Sequence, residues 1–439
     1  MCSFNSSAVY KFIGITYNSA LFKESRFRLS LKSFYASVEA VERGLDPFKT
    51  NLVVADPTRG NGAICLAITP ALKELGVKNR CRIFEIPKET EYITAMPRMK
   101  KYMEYSADIY SIYLRYISKD DIHVYSIDEC FFDVTAYLKL YNKTPKELAV
   151  MLIDAVYNET GICAAAGIGT NLFLAKVALD ITAKHTDDHI GYLDETEFKR
   201  TILHHKPITD IWNVGRGTAK RLEKYGIYDL YGVANCDEKL LYREFGINAE
   251  FLIDHSKGVE PCTIEEIKNF KPETNSISNG QILFSDYTFE EAKLALKEMI
   301  DITVLELVEK NLVTDSISLR IGYSKNVAKS TGGTKKLGYT TNSAKRLTEE
   351  FLTYYDKTTR RDCLIRKINV GLNHLIYEDY ITLDLFGGHN DDEKERKAQK
   401  AIIDIKKKYG KNAILKGMNL EEKATGQKRN KLIGGHNGE

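Results

Sequence analysis

The sequence predicts an α/β (α+β) protein of several domains, and three observations predict it. Strand-like and helix-like stretches alternate between residues 25 and 187. Short helical stretches separated by glycines follow from about 195 to 256, and a β-α-β-β-α-β order runs from about 276 to 372. A chain of 439 residues is too long for one ordinary core and suggests two to four domains. With 43% hydrophobic and 28% charged residues it is globular rather than disordered. No run of eighteen apolar residues predicts a membrane helix, and the first twenty residues carry no secretory pattern. Eight scattered cysteines without a CxxC pair read as reduced thiols of a cytoplasmic protein, not a disulfide frame or zinc site. The net charge of +3 does not mark a nucleic-acid binder, so the local charge distribution must decide.

In chain order, residues 1–24 lack periodicity. Phe27 to Tyr35 reads as a short strand turning into a helix that runs to Arg43. Asn51–Ala55 and Ala63–Ile68 are strands around the turn Arg59-Gly-Asn-Gly62. Pro70 opens a short helix and Gly76 closes it. A long helix spans Met96–Ile117, with Ile109, Ile112 and Tyr113 on its apolar face. Val124–Val134 is a strand hairpin, Thr144 and Glu147 form a capping box, Gly161–Ile168 is a buried strand and Leu172–Lys184 a helix. Lys257–Pro272 reads as a polar linker. In the second α/β unit, Thr288 and Glu291 cap a helix, and Ser316–Tyr323 alternates as a half-buried strand. Leu337–Thr340 pairs with it across a turn at Gly332-Gly333. Both helices fall on one face. A helix from Asp391 to Tyr409 precedes a mobile tail.

The most informative stretch is Val124-Tyr-Ser-Ile-Asp-Glu-Cys-Phe-Phe-Asp-Val134. Asp128 and Glu129 interrupt an apolar hairpin, and a buried carboxylate costs several kcal/mol unless paired or metal-bound. At a turn both can reach one hard cation, and oxygen ligands suit Mg²⁺. That arrangement fits two-metal phosphoryl transfer. A tight turn with two solvated acids explains the same residues, and local sequence alone does not separate the two.

Ser126-Ile-Asp-Glu129 together with Lys32-Ser-Phe-Tyr-Ala-Ser-Val-Glu39 resembles the Y-family translesion DNA polymerases of the UmuC/DinB type, most closely the UmuC branch. The resemblance covers about Leu29 to Leu372. It implies a right-hand polymerase: palm at 25–35 and 95–187, fingers at 36–94, a thumb with a helix-hairpin-helix at 188–258, and a little finger at 272–375. A tail at 376–439 would carry a clamp-binding peptide. It further implies error-prone, template-directed synthesis past damaged bases, with two Mg²⁺ ions, deoxynucleoside triphosphates and primer–template DNA. The sliding clamp and accessory repair proteins are the implied protein partners. By position, Asp128 and Glu129 match the metal-binding carboxylates, and the backbone carbonyl of Leu31 a further ligand. Tyr35 matches the steric gate against a ribose 2′-hydroxyl, and Phe34 would pack under the sugar. Lys73 and Lys184 match lysines that meet the triphosphate.

The sequence departs from that pattern on its first strand. The family has an aspartate that bridges both metals where this chain has Ser30, and an apolar strand where it has Glu24-Ser-Arg-Phe-Arg28. Three accounts stand: a wrong or frame-shifted translated N-terminus, a decaying gene, or a protein that kept DNA binding and lost catalysis. Weak or absent polymerase activity is expected of this chain.

Thr209 to Arg221 reads as helix, turn, helix. Gly215 and Gly217 let backbone amides approach a phosphate, while Arg216, Lys220 and Arg221 add charge. An ordinary helical turn reads the same way. Arg320, Lys325, Lys335 and Lys336 suggest a basic, salt-sensitive DNA face on the later unit. Thr382-Leu-Asp-Leu-Phe386 resembles the family's clamp-docking peptide, with Leu383, Leu385 and Phe386 as anchors, although a packed linker also fits. Besides a polymerase, two other classes remain: a non-catalytic DNA- or clamp-binding protein, and another palm enzyme such as a nucleotidyl cyclase. The basic DNA contacts argue against the cyclase.

Overall fold

The computed structural model describes residues 24–439 except 273–274, 325–326 and 381–388. The chain divides into two units, one ending at Lys271 and one beginning at Pro272.

The first unit is organised by a five-stranded sheet. Its strands are β1 (Arg26–Leu31), β5 (Ile122–Ser126), β6 (Glu129–Asp133), β7 (Ala164–Gly169) and β8 (Ile190–Leu193), in the order β5-β6-β1-β7-β8. Strand alternation gives central β1 two different faces. Phe27, Leu29 and Leu31 join a core with α3 (Met99–Leu114) and α5 (Pro145–Thr160), through Ile109, Tyr113, Leu148 and Leu152. The other face carries Arg26, Arg28 and Ser30 under α6 (Leu172–Asp180). There Gly167 and Gly169 of β7 stand opposite Arg28 and Arg26. A Cβ on Gly167 would lie 2.1 Å from the Ala175 carbonyl oxygen, so helix and sheet pack here without intervening side chains.

Helix α1 (Phe34–Val41) leads to a small sheet of β2 (Leu52–Val54), β3 (Ala67–Ile68) and β4 (Ile93–Ala95), ordered β3-β2-β4. Val53, Cys65, Ile68 and Leu72 form its own core with α2 (Pro70–Glu74). Helix α4 (Thr135–Tyr141) follows the hairpin. Five short helices, α7 (Glu195–Thr201), α8 (Arg216–Glu223), α9 (Leu230–Ala234), α10 (Glu238–Phe245) and α11 (Ala249–Ser256), close around Phe198, Leu222, Leu241 and Leu252. The expected linker at Lys257–Pro272 is not all linker. It holds α12 (Ile264–Asn269), started by a Thr263–Glu266 capping box and anchored by Ile264 against Phe131 and Leu172.

The second unit has the predicted order: β9 (Ile277–Tyr287), α13 (Phe289–Glu309), β10 (Leu312–Tyr323), β11 (Thr331–Thr341), α14 (Ala344–Thr358) and β12 (Ile365–Asn373). The sheet runs β11-β10-β12-β9, and a short β13 (Ile376–Tyr377) pairs with β10. Ile317, Leu319 and Ile321 of β10 pack with Leu296, Met299 and Phe351 of the two helices. Gly332 and Gly333 are not the turn but lie inside β11, opposite Arg320 and Leu319. Gly332 has φ 102°, and a Cβ there would lie 2.1 Å from the Leu319 carbonyl oxygen.

The long helix α15 (His389–Tyr409) begins near the expected place, and a short α16 (Gly426–Asn430) follows in the tail. The tail beyond it is not loose. Glu298 is a buried acid on the apolar face of α13, and the tail supplies its donors. The backbone N–H of Thr425 lies 2.7 Å away, that of Gly426 3.0 Å, and Asn419 Nδ2 2.7 Å. A buried carboxylate needs such partners, which explains the order of a Lys- and Gly-rich segment.

Candidate active site

The acidic pair sits where β5 turns into β6. Ile127 and Asp128 form the two-residue turn, and Glu129 opens β6 opposite Ser126. The Leu31 N–H donates to the Asp128 carbonyl oxygen at 2.9 Å, which fixes the turn to the end of β1. Ser126 Oγ donates to Asp128 Oδ1 at 2.8 Å. Burial nonetheless pushes the Asp128 carboxyl above its ordinary range, with that hydrogen bond opposing and the Glu129 charge adding to the rise.

Glu129 is held differently. Arg28 is wholly buried and ion-pairs with Glu129, while Lys176 of α6 reaches Glu129 at 3.5 Å and Asp180 at 2.8 Å. Burial pushes Glu129 upward, but Arg28 and then Lys176 outweigh it and hold the carboxyl below its ordinary range. In the β1–β6 register Arg28 stands opposite Phe131, and Ser30 opposite Glu129, so Arg28 reaches Glu129 on the diagonal. The charges of the first strand are buried ones: Arg26 too is buried and pairs with Asp133 at 2.8 Å.

Ser33 turns β1 into α1 with φ 50°, an uncommon conformation for a residue other than glycine. Ser37 Oγ closes this turn on the Lys32 carbonyl oxygen at 2.7 Å. Tyr35 then stacks on Tyr102 with ring centroids 4.5 Å apart. The Tyr102 hydroxyl donates to Glu39 at 2.8 Å, and Arg98 grips the same carboxylate with two bonds of 2.9 and 3.0 Å. Arg43 adds a further contact. Glu39 thus ends a relay that sets the plane of the Tyr35 ring. Phe34 is buried in the core beside Tyr35.

Basic residues gather near the same end. Burial, then neighbouring Lys184, lowers the ammonium pKa of Lys73. Lys32 is lowered by burial and by Lys73, against the opposing thiol of Cys163. Tyr35 is raised by burial and by Asp128, with Arg80 opposing. Sequence reasoning named Tyr35, Asp128, Lys73 and Lys184. It missed Lys32, Arg80, Lys176, Tyr102 and Arg28, although strand alternation alone puts Arg28 on the face of Ser30.

The other predicted contacts are placed unevenly. Gly215 caps α8 and, like Gly217, has open space where a side chain would stand. Arg216 and Lys220 are exposed on that helix. Before it there is one 3₁₀ turn, Ile208–Asp210, rather than a full helix. Arg221 is tethered over the Phe245 ring at 4.2 Å and donates to the Glu244 carbonyl at 2.6 Å. Arg320 and Lys336 lie on the open face of the second sheet, where Ser278, Ser318, Thr334 and Asn369 line a shallow polar groove beside Arg320. Lys335 registers on the opposite face and pairs with Glu350 at 2.5 Å. Lys325, Leu383, Leu385 and Phe386 lie outside the described residues.

The donor set does not fit a two-ion site. A bridging carboxylate is wanted on β1, and Ser30 offers a neutral hydroxyl. Of the two remaining carboxylates, Glu129 is already paired with two cations. Among the described residues no group of three His, Cys, Asp or Glu side chains is placed to hold a metal, and no helix is long and apolar enough to cross a membrane.

The site thus joins a carboxylate hairpin on a five-stranded sheet, a stacked Tyr35–Tyr102 pair and a set of neighbouring lysines. The impB/mucB/samB family matches residues 29–180, and the impB/mucB/samB family C-terminal domain matches residues 274–385. The "Putative UV-damage repair protein UvrX" of Bacillus subtilis (strain 168) is 31% identical, over 93% of this chain and 96% of its own. "DNA polymerase IV 2" of the same organism is 29% identical, over 93% and 98%. A Y-family DNA polymerase chimera of Dbh and Dpo4 superposes with a TM-score of 0.60 at 22% identity, covering 80% of this chain and 99% of that one. The chain belongs to the Y-family translesion DNA polymerases. The relatives named here carry damage-repair and polymerase IV names, so the family stands while the UmuC branch stays an expectation.

Proposed function

We propose that this chain binds primer–template DNA, damaged templates included, and adds deoxynucleotides opposite the template, with a chemical step that is slow as the sequence stands. The observation that carries the reading is the Asp128–Glu129 hairpin fixed to the end of β1, the strand that leads into the helix of the stacked Tyr35. In this reading residues 25–35 and 95–187 are the palm, 36–94 the fingers, 188–258 the thumb and 272–375 the little finger. Tyr35 turns away a ribose 2′-hydroxyl, because its ring is backed by Tyr102 and cannot yield. Lys32, Lys73 and Lys184 hold the triphosphate, their charges repelling one another until an anion arrives. Gly215, Arg216, Gly217 and Lys220 meet the DNA backbone, as do Arg320 and Lys336 on the little finger.

Divalent ions serve this family. The expectation of two Mg²⁺ here meets a site with two carboxylates, one of them occupied, so the chain's own residues account for binding better than for turnover. Fluorescence anisotropy and primer extension test the reading together. Binding of a primer–template duplex that weakens with salt, with extension far slower than binding, supports it. No binding at low salt overturns it. A second reading, a non-catalytic DNA- or clamp-binding protein, is favoured by Ser30 and Arg28 and predicts binding with no extension at all. Its clamp contact would be Leu383, Leu385 and Phe386; a pull-down in which Leu385→Ala and Phe386→Ala retain the sliding clamp removes that contact.

A further inference from the structure

The departure at Ser30 has a companion two residues earlier, on the same face of β1. The Arg28 side chain is 0% exposed, and its only ion pair among the described residues is with Glu129, itself 18% exposed. The guanidinium lies in the corner between the rings of Tyr125 and Phe131, which meet edge to face at 89°, its central carbon 4.0 and 4.2 Å from their centroids. Its Nε and Nη1 atoms have no hydrogen-bond partner. An arginine so deeply placed, with two donors unmet, is held by one carboxylate and two ring faces. Removing that carboxylate from the arginine would strand a buried charge, so the pair resists opening.

We infer that Arg28 is a built-in cation of this palm, which occupies Glu129 and blocks divalent-ion binding even when the carboxylate missing at position 30 is supplied. The inference rests on the polymerase reading of the site, and it makes Arg28 a positioning residue that acts through Glu129. It changes what Ser30 alone explains. A lost aspartate would be repaired by Ser30→Asp. A lost aspartate with a resident guanidinium would not, because the new carboxylate would meet Arg28 across the same strand face and be neutralised as Glu129 is. Both positions must change together, Ser30 to Asp and Arg28 to an apolar residue of similar length.

The test compares four full-length proteins: the unaltered chain, Ser30→Asp, Arg28→Met, and the double variant. Mn²⁺ binding is titrated by electron paramagnetic resonance, and primer–template binding is measured in parallel by anisotropy. The expected result is that the double variant binds Mn²⁺ at least tenfold more tightly than either single variant. Ser30→Asp binding Mn²⁺ as tightly as the double variant overturns the inference, and so does a double variant that folds and binds no better. Arg28→Gln, which keeps a polar end for Glu129 without the charge, replaces Arg28→Met if the latter does not fold, with the same outcomes. Absence of primer–template binding by the unaltered chain at low salt would count against the polymerase reading instead, so the two failures are distinguishable.

Discussion

Replacing Glu39 by glutamine should loosen the support of the Tyr35–Tyr102 stack and destabilise the first unit measurably. Glu39 is wholly buried and accepts from Arg98, Tyr102 and Arg43. Breaking a buried ion pair costs about 3–5 kcal/mol when one partner is left behind. Glutamine keeps the shape and one acceptor, and Arg98 and Arg43 keep partial access to water, so the cost falls to about 2–3 kcal/mol. For a unit of this size that is a melting-temperature fall of roughly 4–12 °C. The pH dependence carries a second signature. Burial pushes the Glu39 carboxyl up, but Arg98, Arg43 and Tyr102 outweigh it and hold the folded-state pKa below the ordinary value. Its stabilisation is therefore full above the unfolded glutamate pKa of about 4.3, and it is lost as pH falls through the folded value. Thermal melts of the unaltered chain and Glu39→Gln between neutral pH and pH 3 measure both effects. A variant melting within about 1 °C of the parent, with the same acid slope, would refute the account of the relay.

Other consequences follow from the same geometry. Tyr35→Ala should bring the affinities for a ribonucleoside and a deoxyribonucleoside triphosphate together, read by competition with a fluorescent nucleotide; an unchanged preference would remove Tyr35 as the gate. Gly167→Ala should cost about 3 kcal/mol or more in urea denaturation, since its Cβ would meet the backbone of α6 at 2.1 Å. Lys336→Gln should reduce the salt dependence of duplex binding by about 0.9 in the log–log slope, whereas Lys335→Gln, on the helix face, should leave it unchanged.

Much of this architecture was legible because its signals are local. The capping box at Thr144 and Glu147, the alternation of Ser316–Tyr323 and the split β-α-β-β-α-β order all appear where expected. Signals that depend on a distant partner were not. Lys257–Pro272 looks polar and linker-like until Ile264 finds Phe131 and Leu172. Residues 410–438 look mobile until buried Glu298 requires donors. Gly332 and Gly333 look like a turn, yet Gly332 permits close approach of β11 to β10. In the site, the motif residues Asp128, Glu129 and Tyr35 were named from sequence, and Ser30 was recognised as the anomaly. The residues that give the anomaly its physical meaning were not. Arg28 read only as one of the charges on a strand expected to be apolar, because only the β1–β6 register shows it reaching Glu129. Lys176 lies on a helix whose contact with β6 no local pattern reveals.

The central claim is that the proposed palm lacks its third carboxylate, at Ser30, and that Arg28 holds one of the two that remain. Single-nucleotide primer extension by the unaltered chain, beside the Ser30→Asp/Arg28→Met double variant, measures it most directly. The account predicts little extension from the unaltered chain and a rate about a hundredfold higher from the double variant, the scale of one electrostatic stabiliser restored. Equal and rapid extension by both proteins would contradict it.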